Sequence, residues 1–408
     1  MPDWRIVAAG LVSLAVAMGI GRFAFTPLLP MMLADGVLDL PTASWLASAN
    51  YLGYLVGALL CTFQPWIWRR LGGPPPLRAP SVVRAGLAAT ALLTLGMALQ
   101  VPAAWPLLRF LAGVVSAFVF VYTSGWCLSQ LALRGVPAMG ALIYTGPGGG
   151  IVLSGLAASG MVALQWSAAD GWLIFGVLAA GLTALVWPVF HGRNGLLQSV
   201  AARADPPQHS ASIHGRSEIG LLTLAYGLAG FGYITTATFL PVIARQALPG
   251  SHWLDLFWPI FGLGVVLGAL GASRVPARAN RLAMLAACYF VQAAGVAASL
   301  VSPTLAGFAI GSLLLGLPFT AITFFAMQEV RRLRPEHVAS TMGLLTAMYG
   351  VGQIVGPPLA AAMLARSTTP GAGFTRSLEI AAASLVAGAL LYLWMARRQQ
   401  PAPRPDST

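Results

Sequence analysis

Residues Gly19-Ile20-Gly21-Arg22-Phe23, closed seven positions on by Leu29-Pro30, return 211 positions later as Gly230-Phe231-Gly232-Tyr233 and Leu240-Pro241. The same offset, with no gap, lays Leu52, Gly53, Gly57, Ala58 and Leu59 on Leu263, Gly264, Gly268, Ala269 and Leu270. A second register, offset by 203, pairs Met139, Gly140, Leu142, Gly149, Ile151, Val152, Leu156 and Ala157 with Met342, Gly343, Leu345, Gly352, Ile354, Val355, Leu359 and Ala360. The chain therefore reads as one unit written twice in the same orientation. Every matched stretch is apolar and rich in glycine, so what was duplicated is a hydrophobic bundle.

The composition says which solvent that bundle meets. Of 408 residues 57% are hydrophobic and only 8% charged, whereas a soluble domain carries about 25% charged residues. Twelve stretches are apolar for the roughly 20 residues a helix needs to cross a bilayer. They run over 6–32, 42–63, 82–99, 104–131, 138–164, 171–190, 219–244, 253–272, 282–301, 304–330, 338–364 and 374–396. The spacing predicts an all-α membrane protein of twelve transmembrane helices in two pseudo-symmetric six-helix halves. The bundles cover residues 1–190 and 218–398, joined by a polar linker over 191–217 and followed by a tail over 399–408. The first run follows Arg5, but it is too long for a signal peptide core and contains Arg22.

All 23 basic residues are arginines against 11 acids, a net charge of +12. Without lysine there is no P-loop and no Schiff-base chemistry. With the N-terminus inside, inner segments hold eighteen arginines, while outer segments hold three, Arg245, Arg366 and Arg376. By the positive-inside rule both termini are expected in the cytoplasm, and the absence of lysine with richness in alanine suggests a GC-rich bacterial genome, so a multi-pass protein of a bacterial inner membrane is expected. That asymmetry accounts for the positive balance, so no nucleic-acid partner is implied. Cys61, Cys127 and Cys288 stand alone in apolar runs, and the five histidines lack ligand spacing. No metal, cofactor or catalytic residue is expected, and no enzyme. Gly19-Ile20-Gly21-Arg22-Phe23-Ala24 matches the dinucleotide pattern GxGxxA but has no strand before it.

Twelve spans split six and six resemble the major facilitator superfamily over the whole length. Arg109-Phe110-Leu111-Ala112-Gly113 is similar to its RxxxG element, and Gly146-Pro147-Gly148-Gly149-Gly150 resembles the glycine-proline motif of its drug and proton antiporters. Gly19 to Pro30, Trp45 to Gly57, Gly230 to Pro241 and Gly350-Val351-Gly352-Gln353-Ile354-Val355-Gly356-Pro357 resemble the YbfB/YjiJ-type branch. One superfamily element is missing. No Asp or Glu lies between Asp39 and Asp170, so the acidic residue usual after the second span is absent.

Ionisable groups inside a membrane are costly, about 2.5 to 3.5 kcal/mol for arginine on insertion scales, and they mark function. Arg22 and Arg109 are the two arginines within spans. The repeat sets Arg22 against Tyr233, a cation opposite a phenol. Together with Asn50 and Gln353 as hydrogen-bonding walls and Tyr144 and Tyr349 as stacking surfaces, they form the expected solute site. Tyr51, Tyr54, Tyr122 and Trp126 are further aromatic candidates. Gly146, Pro147, Gly149, Gly352, Gly356 and Pro357 are expected to loosen spans 5 and 11 at a moving seam, and a bulky residue at Gly149 is expected to arrest transport. Asp255 and Glu379 are candidates for proton coupling, each with a basic neighbour three residues back, His252 and Arg376.

The expected function is secondary transport of a small organic solute, anionic or amphipathic, by alternating access, with a single copy as the working unit. Two alternatives stand beside it. One is a proton-coupled drug efflux antiporter; the other is a channel or non-transporting sensor.

Overall fold

In lipid each backbone amide must find its partner within its own segment, so apolar runs of this length can only be helices. The computed structural model describes residues 3–71, 78–190, 213–250, 253–276, 279–334, 338–367 and 369–398. Twelve helices in it are long and apolar enough to cross a membrane. They are α1 (Asp3–Ala34), α2 (Leu40–Gln64), α3 (Ala79–Ala98), α4 (Pro102–Leu131), α5 (Met139–Ala163), α6 (Ala168–Phe190), α7 (Ser217–Ala247), α8 (Leu254–Ala272), α9 (Arg281–Val301), α10 (Leu305–Val330), α11 (Thr341–Ala365) and α12 (Gly371–Arg398). No strand occurs among the described residues.

The expected spans all appear, with shifted ends. Helix continues beyond α2 to Leu71, and α5 begins as a 3-10 turn over Pro137–Thr145, which lets Pro147 sit in the first turn of the α-helical part, where a missing N–H costs nothing. Of the expected linker, residues 191–212 lie outside the described residues, as does the tail over 399–408. Residues 213–217 are already helical, because the helix of α7 starts at Ile213. Loops are closed by side-chain caps. Ser167 and Asp170 form a reciprocal capping box at α6, Asn280 caps α9 through Ala283 N–H, and Thr304 caps α10 through Gly307 N–H.

The glycines shared by the two copies do the same work in both. A methyl group on Gly53 would stand 1.9 Å from the Phe110 carbonyl, and one on Gly57 2.6 Å from that of Val114, so α2 lies backbone to backbone on α4. Their counterparts Gly264 and Gly268 meet the carbonyls of Leu313 and Leu317 at 2.6 and 1.6 Å, which seats α8 on α10. Likewise Gly19 touches Gly150 of α5, and Gly230 touches Tyr349 of α11. Without a hydrophobic drive between helices in lipid, such close van der Waals approach is what holds a bundle together.

Between the halves, α2 packs along α11 and α5 along α8, while the later part of α1, Phe25–Ala34, packs on α7. Thus α5 and α11 each stand at a seam between halves, with different partners. The α5–α8 seam is set by Gly148 against Val266 and the Gly262 carbonyl, and by Gly155 against Pro259.

Candidate functional site

The site begins with a flaw in α1. Pro27 has no N–H, and its ring presses on the carbonyl four residues back, at Phe23. The backbone responds with a π-helical turn over Ala15–Ile20, and α-helix resumes only at Phe25–Ala34. Gly21 and Phe23 donate five residues back, to the carbonyls of Val16 and Met18 at 2.9 and 3.0 Å, and Thr26 N–H turns to the Phe23 carbonyl at 3.1 Å. In a regular helix Thr26 N–H would serve the carbonyl of Arg22. That carbonyl is freed.

Arg109 of α4 takes it. Its Nη2 donates to the Arg22 carbonyl at 3.1 Å and its Nη1 to that of Gly21 at 3.4 Å, with the guanidinium 4.9 Å from the centre of the Phe25 ring. Asn50 of α2 holds α4 in turn, donating from Nδ2 to the Arg109 carbonyl at 2.9 Å. One turn past Arg109, a methyl on Gly113 would sit 2.1 Å from the Asn50 carbonyl. The RxxxG element is thus a close helix contact that delivers a guanidinium to a broken helix.

The break turns Arg22 toward the other half. Its Nη2 donates to Gln353 Oε1 of α11 at 2.6 Å, and Gln353 Nε2 donates to the Tyr233 hydroxyl of α7. The guanidinium lies 3.9 Å from the centre of the Tyr54 ring, with Phe23 and Tyr51 at 5.4 and 5.5 Å. Tyr349 stacks on Tyr233 with ring centres 5.7 Å apart, and Phe319 of α10 presents its edge to both Tyr233 and Phe23 at 5.1 and 6.1 Å. Gln353 stands twelve residues from either end of α11, so the cluster is at mid-depth. Two more bonds cross beside it, from Tyr51 to Thr238 at 2.9 Å and from Ser48 to the Ile354 carbonyl at 3.0 Å.

Arg22 is 4% exposed and Arg109 2%, and neither touches a carboxylate among the described residues. The Nε of each, and Asn50 Oδ1, have no hydrogen-bond partner there. The ion pairs Asp3–Arg134, Arg245–Asp255 and Glu329–Arg332 sit at span ends instead. Two positive charges are therefore buried within the spans with only neutral acceptors among the described residues.

The family model described as an uncharacterised MFS-type transporter YbfB matches residues 14–393. The chain belongs to this family. YbfB-type transporters take the major facilitator fold, and the arrangement is similar to that in a crystal structure of the nucleoside transporter NupG, with a TM-score of 0.71 at 15% identity over 96% of this chain and 99% of that one. No curated protein matches the sequence. The chain is a multi-pass membrane transporter and not an enzyme.

Within this YbfB-type chain the structure joins Arg22, Gln353, Tyr233 and Tyr349 directly. Arg109 and Asn50 stand behind them as supports, with the Asn50 nitrogen already committed to backbone. Tyr144 packs on Phe120 of α4, ring centres 6.1 Å apart. Trp126 faces Phe190 and Tyr122 donates to Gln64, whereas Tyr51 and Tyr54 flank Arg22. Asp255 pairs with Arg245 at the junction of α7 and α8; His252, its expected neighbour, lies outside the described residues. Glu379 is exposed and forms no ion pair with Arg376, a contact that gains little where both side chains are open to the surroundings. Gly149 differs from its neighbours in its surroundings. A methyl there meets nothing within 4 Å; its neighbours Gly148 and Gly150 make the contacts, to α8 and α1. Gly146 and Gly352 do pack tightly, against the carbonyls of Leu11 and Gly227 at 2.4 Å each, and Gly356 rests on Ile234 at 2.5 Å with Pro357 following.

Sequence reasoning missed Phe23, Phe319, Thr238 and Glu329. The last is 2% exposed and held by Arg332. Its signal was present: an acid three residues before an arginine at the end of an apolar run. An apolar pocket of about 240 Å³ between α8, α9 and α10, lined by Val275, Met284, Cys288, Leu317 and Phe325, offers no charged group and stands apart from Arg22.

Proposed function

We propose that the chain carries a small organic anion across a bacterial inner membrane by alternating access, with Arg22 as the solute's counter-ion and both termini in the cytoplasm. The observation that carries this reading is the buried Arg22 guanidinium at mid-depth, which meets a neutral amide across the seam between the halves and no carboxylate among the described residues. A buried cation without a carboxylate is costly, and a solute anion removes that cost when it binds. The Tyr233 hydroxyl supplies a further hydrogen bond, Arg109 and Asn50 hold the broken turn that presents Arg22, and the seams α2–α11 and α5–α8 are where the halves rock. The eighteen inner arginines support the orientation, and a duplicated bundle with its own central site needs no second copy.

Proton-coupled efflux is the second reading, favoured by the buried Glu329 and by the glycine-proline stretch at Gly146. Counterflow in proteoliposomes tests the class: a carrier exchanges labelled solute, and a pore conducts. A panel of organic anions, cations and uncharged nucleosides then tests the charge preference. Anion exchange lost in Arg22→Ala is expected. Cation exchange undiminished in that variant would defeat the reading.

A further inference from the structure

Of the two buried guanidiniums only one is available to a solute. Both Nη atoms of Arg109 are taken by backbone carbonyls of α1, whereas Arg22 commits one Nη to an amide oxygen of the opposite half; the Nε of each is unpartnered among the described residues. A single guanidinium fork suits a single carboxylate, which it grips by two parallel hydrogen bonds. Around it stand rings, Phe23, Tyr51, Tyr54, Tyr233, Phe319 and Tyr349. They suit an aromatic or otherwise apolar body and leave no second cation for a dianion.

Across the seam Arg22 donates to Gln353, a residue of the opposite half. Its carbonyl-type oxygen at 2.6 Å lies where a carboxylate oxygen would bind, and its amide nitrogen is anchored on Tyr233. We infer that the site takes an aromatic or apolar monocarboxylate, and that Gln353 is a built-in placeholder whose amide oxygen the solute's carboxylate displaces from Arg22. The exchange is a neutral acceptor for a charged one, the stronger partner for a guanidinium. It removes the bond that ties α1 to α11 at mid-depth, so occupancy and loosening of the seam are one event. Gln353 is then a specificity-determining residue, because a solute that cannot outcompete an amide does not open the seam.

This rests on the proposed function, and the test separates the two. Binding to the full-length purified protein is measured by calorimetry with benzoate, phenylacetate, benzamide and succinate. Benzoate or phenylacetate is expected to bind, with the uncharged benzamide and the dianion succinate weaker by about tenfold or more. Gln353→Glu places a carboxylate on Arg22 permanently and is expected to lose monocarboxylate binding by a similar factor. Gln353→Ala removes the competitor and is expected to bind as tightly as wild type or more so. Thermal unfolding of the unliganded variants checks that both fold. Monocarboxylate binding that depends on Arg22 but is unchanged in Gln353→Glu overturns the placeholder alone, as does succinate binding equal to benzoate. Failure of every carboxylate, with binding of cations or nucleosides instead, overturns the proposed function as well.

Discussion

The first and seventh spans are copies, yet one is broken and the other is not. Pro30 and Pro241 are shared, but where α1 has Pro27 the repeat places Thr238 in α7, which runs as an uninterrupted helix from Ile213 to Ala247. The additional proline opens α1, frees the Arg22 carbonyl, and calls for a donor from α4. That donor, Arg109, has Ser312 as its counterpart 203 positions on, and Ser312 bonds only within its own helix, to the Phe308 carbonyl at 2.6 Å. Gln353 has Gly150 as its counterpart, and Arg22 has Tyr233. Where the halves agree, glycine brings backbones together; where they differ, polar groups meet across the seam. Duplication built the scaffold, and divergence set a guanidinium at one point of the first half and a phenol at the matching point of the second.

The positions on which the halves agree carry the largest expected effect. Gly53→Leu and Gly264→Leu drive a side chain into a facing backbone carbonyl in either half, and overpacking of a close seam cannot relax cheaply. Both variants are expected to lose the monodisperse, cooperatively unfolding protein in detergent, to the same degree. A large difference between them would mean that the copies are not mechanically equivalent.

Next come the positions that differ. Arg22→Ala is expected to weaken anion binding by about a hundredfold or more, since truncating one partner of a buried charge contact costs roughly 2 to 5 kcal/mol. Tyr233→Phe, at the matching point of the other half, removes the hydroxyl offered to the solute and is expected to cost about tenfold or less. Calorimetry on the same solute measures both. Equal losses would mean that the halves share the solute evenly.

The supports should separate in the same direction by a smaller margin. Arg109→Ala strands the carbonyls of Gly21 and Arg22, at about 1 to 3 kcal/mol for a buried acceptor left unmade, so unfolding temperature and solute affinity are expected to fall together. Ser312→Ala removes only a bond within its own helix and is expected to leave both unchanged. If Ser312→Ala proved as harmful as Arg109→Ala, the break in α1 would not be what Arg109 serves.

Much of this architecture is legible in the residues alone. Apolar runs long enough for lipid mark twelve spans, and the two offsets mark the halves, because lipid allows no other backbone solution and duplication leaves identical residues at contacts. Arg22, Gln353 and Tyr233 stand out as polar groups at mid-depth. Their mutual bonding does not, since residues 331 positions apart are brought together by helix packing alone. Arg109 is conspicuous for its charge, while its role depends on a carbonyl that Pro27 sets free in another helix. Phe23 and Phe319 cannot be told from ordinary core aromatics, as their type fits either place.

The smallest expected effect separates sequence identity from contact. Gly149 and Gly352 are matched by the repeat, but a methyl on Gly352 would meet the Gly227 carbonyl at 2.4 Å, and one on Gly149 meets nothing. Gly149→Ala is therefore expected to leave unfolding temperature and counterflow unchanged, or to stabilise α5 slightly, since alanine is the better helix former by up to about 1 kcal/mol. Gly352→Ala must push α11 off α7, carrying Gln353 away from Tyr233, and should impair both measurements. If Gly149→Ala instead folds normally but arrests exchange, the open side of Gly149 must close against another helix during the transport cycle, and the glycine shared by both copies would be kept for a contact made in only one of the states.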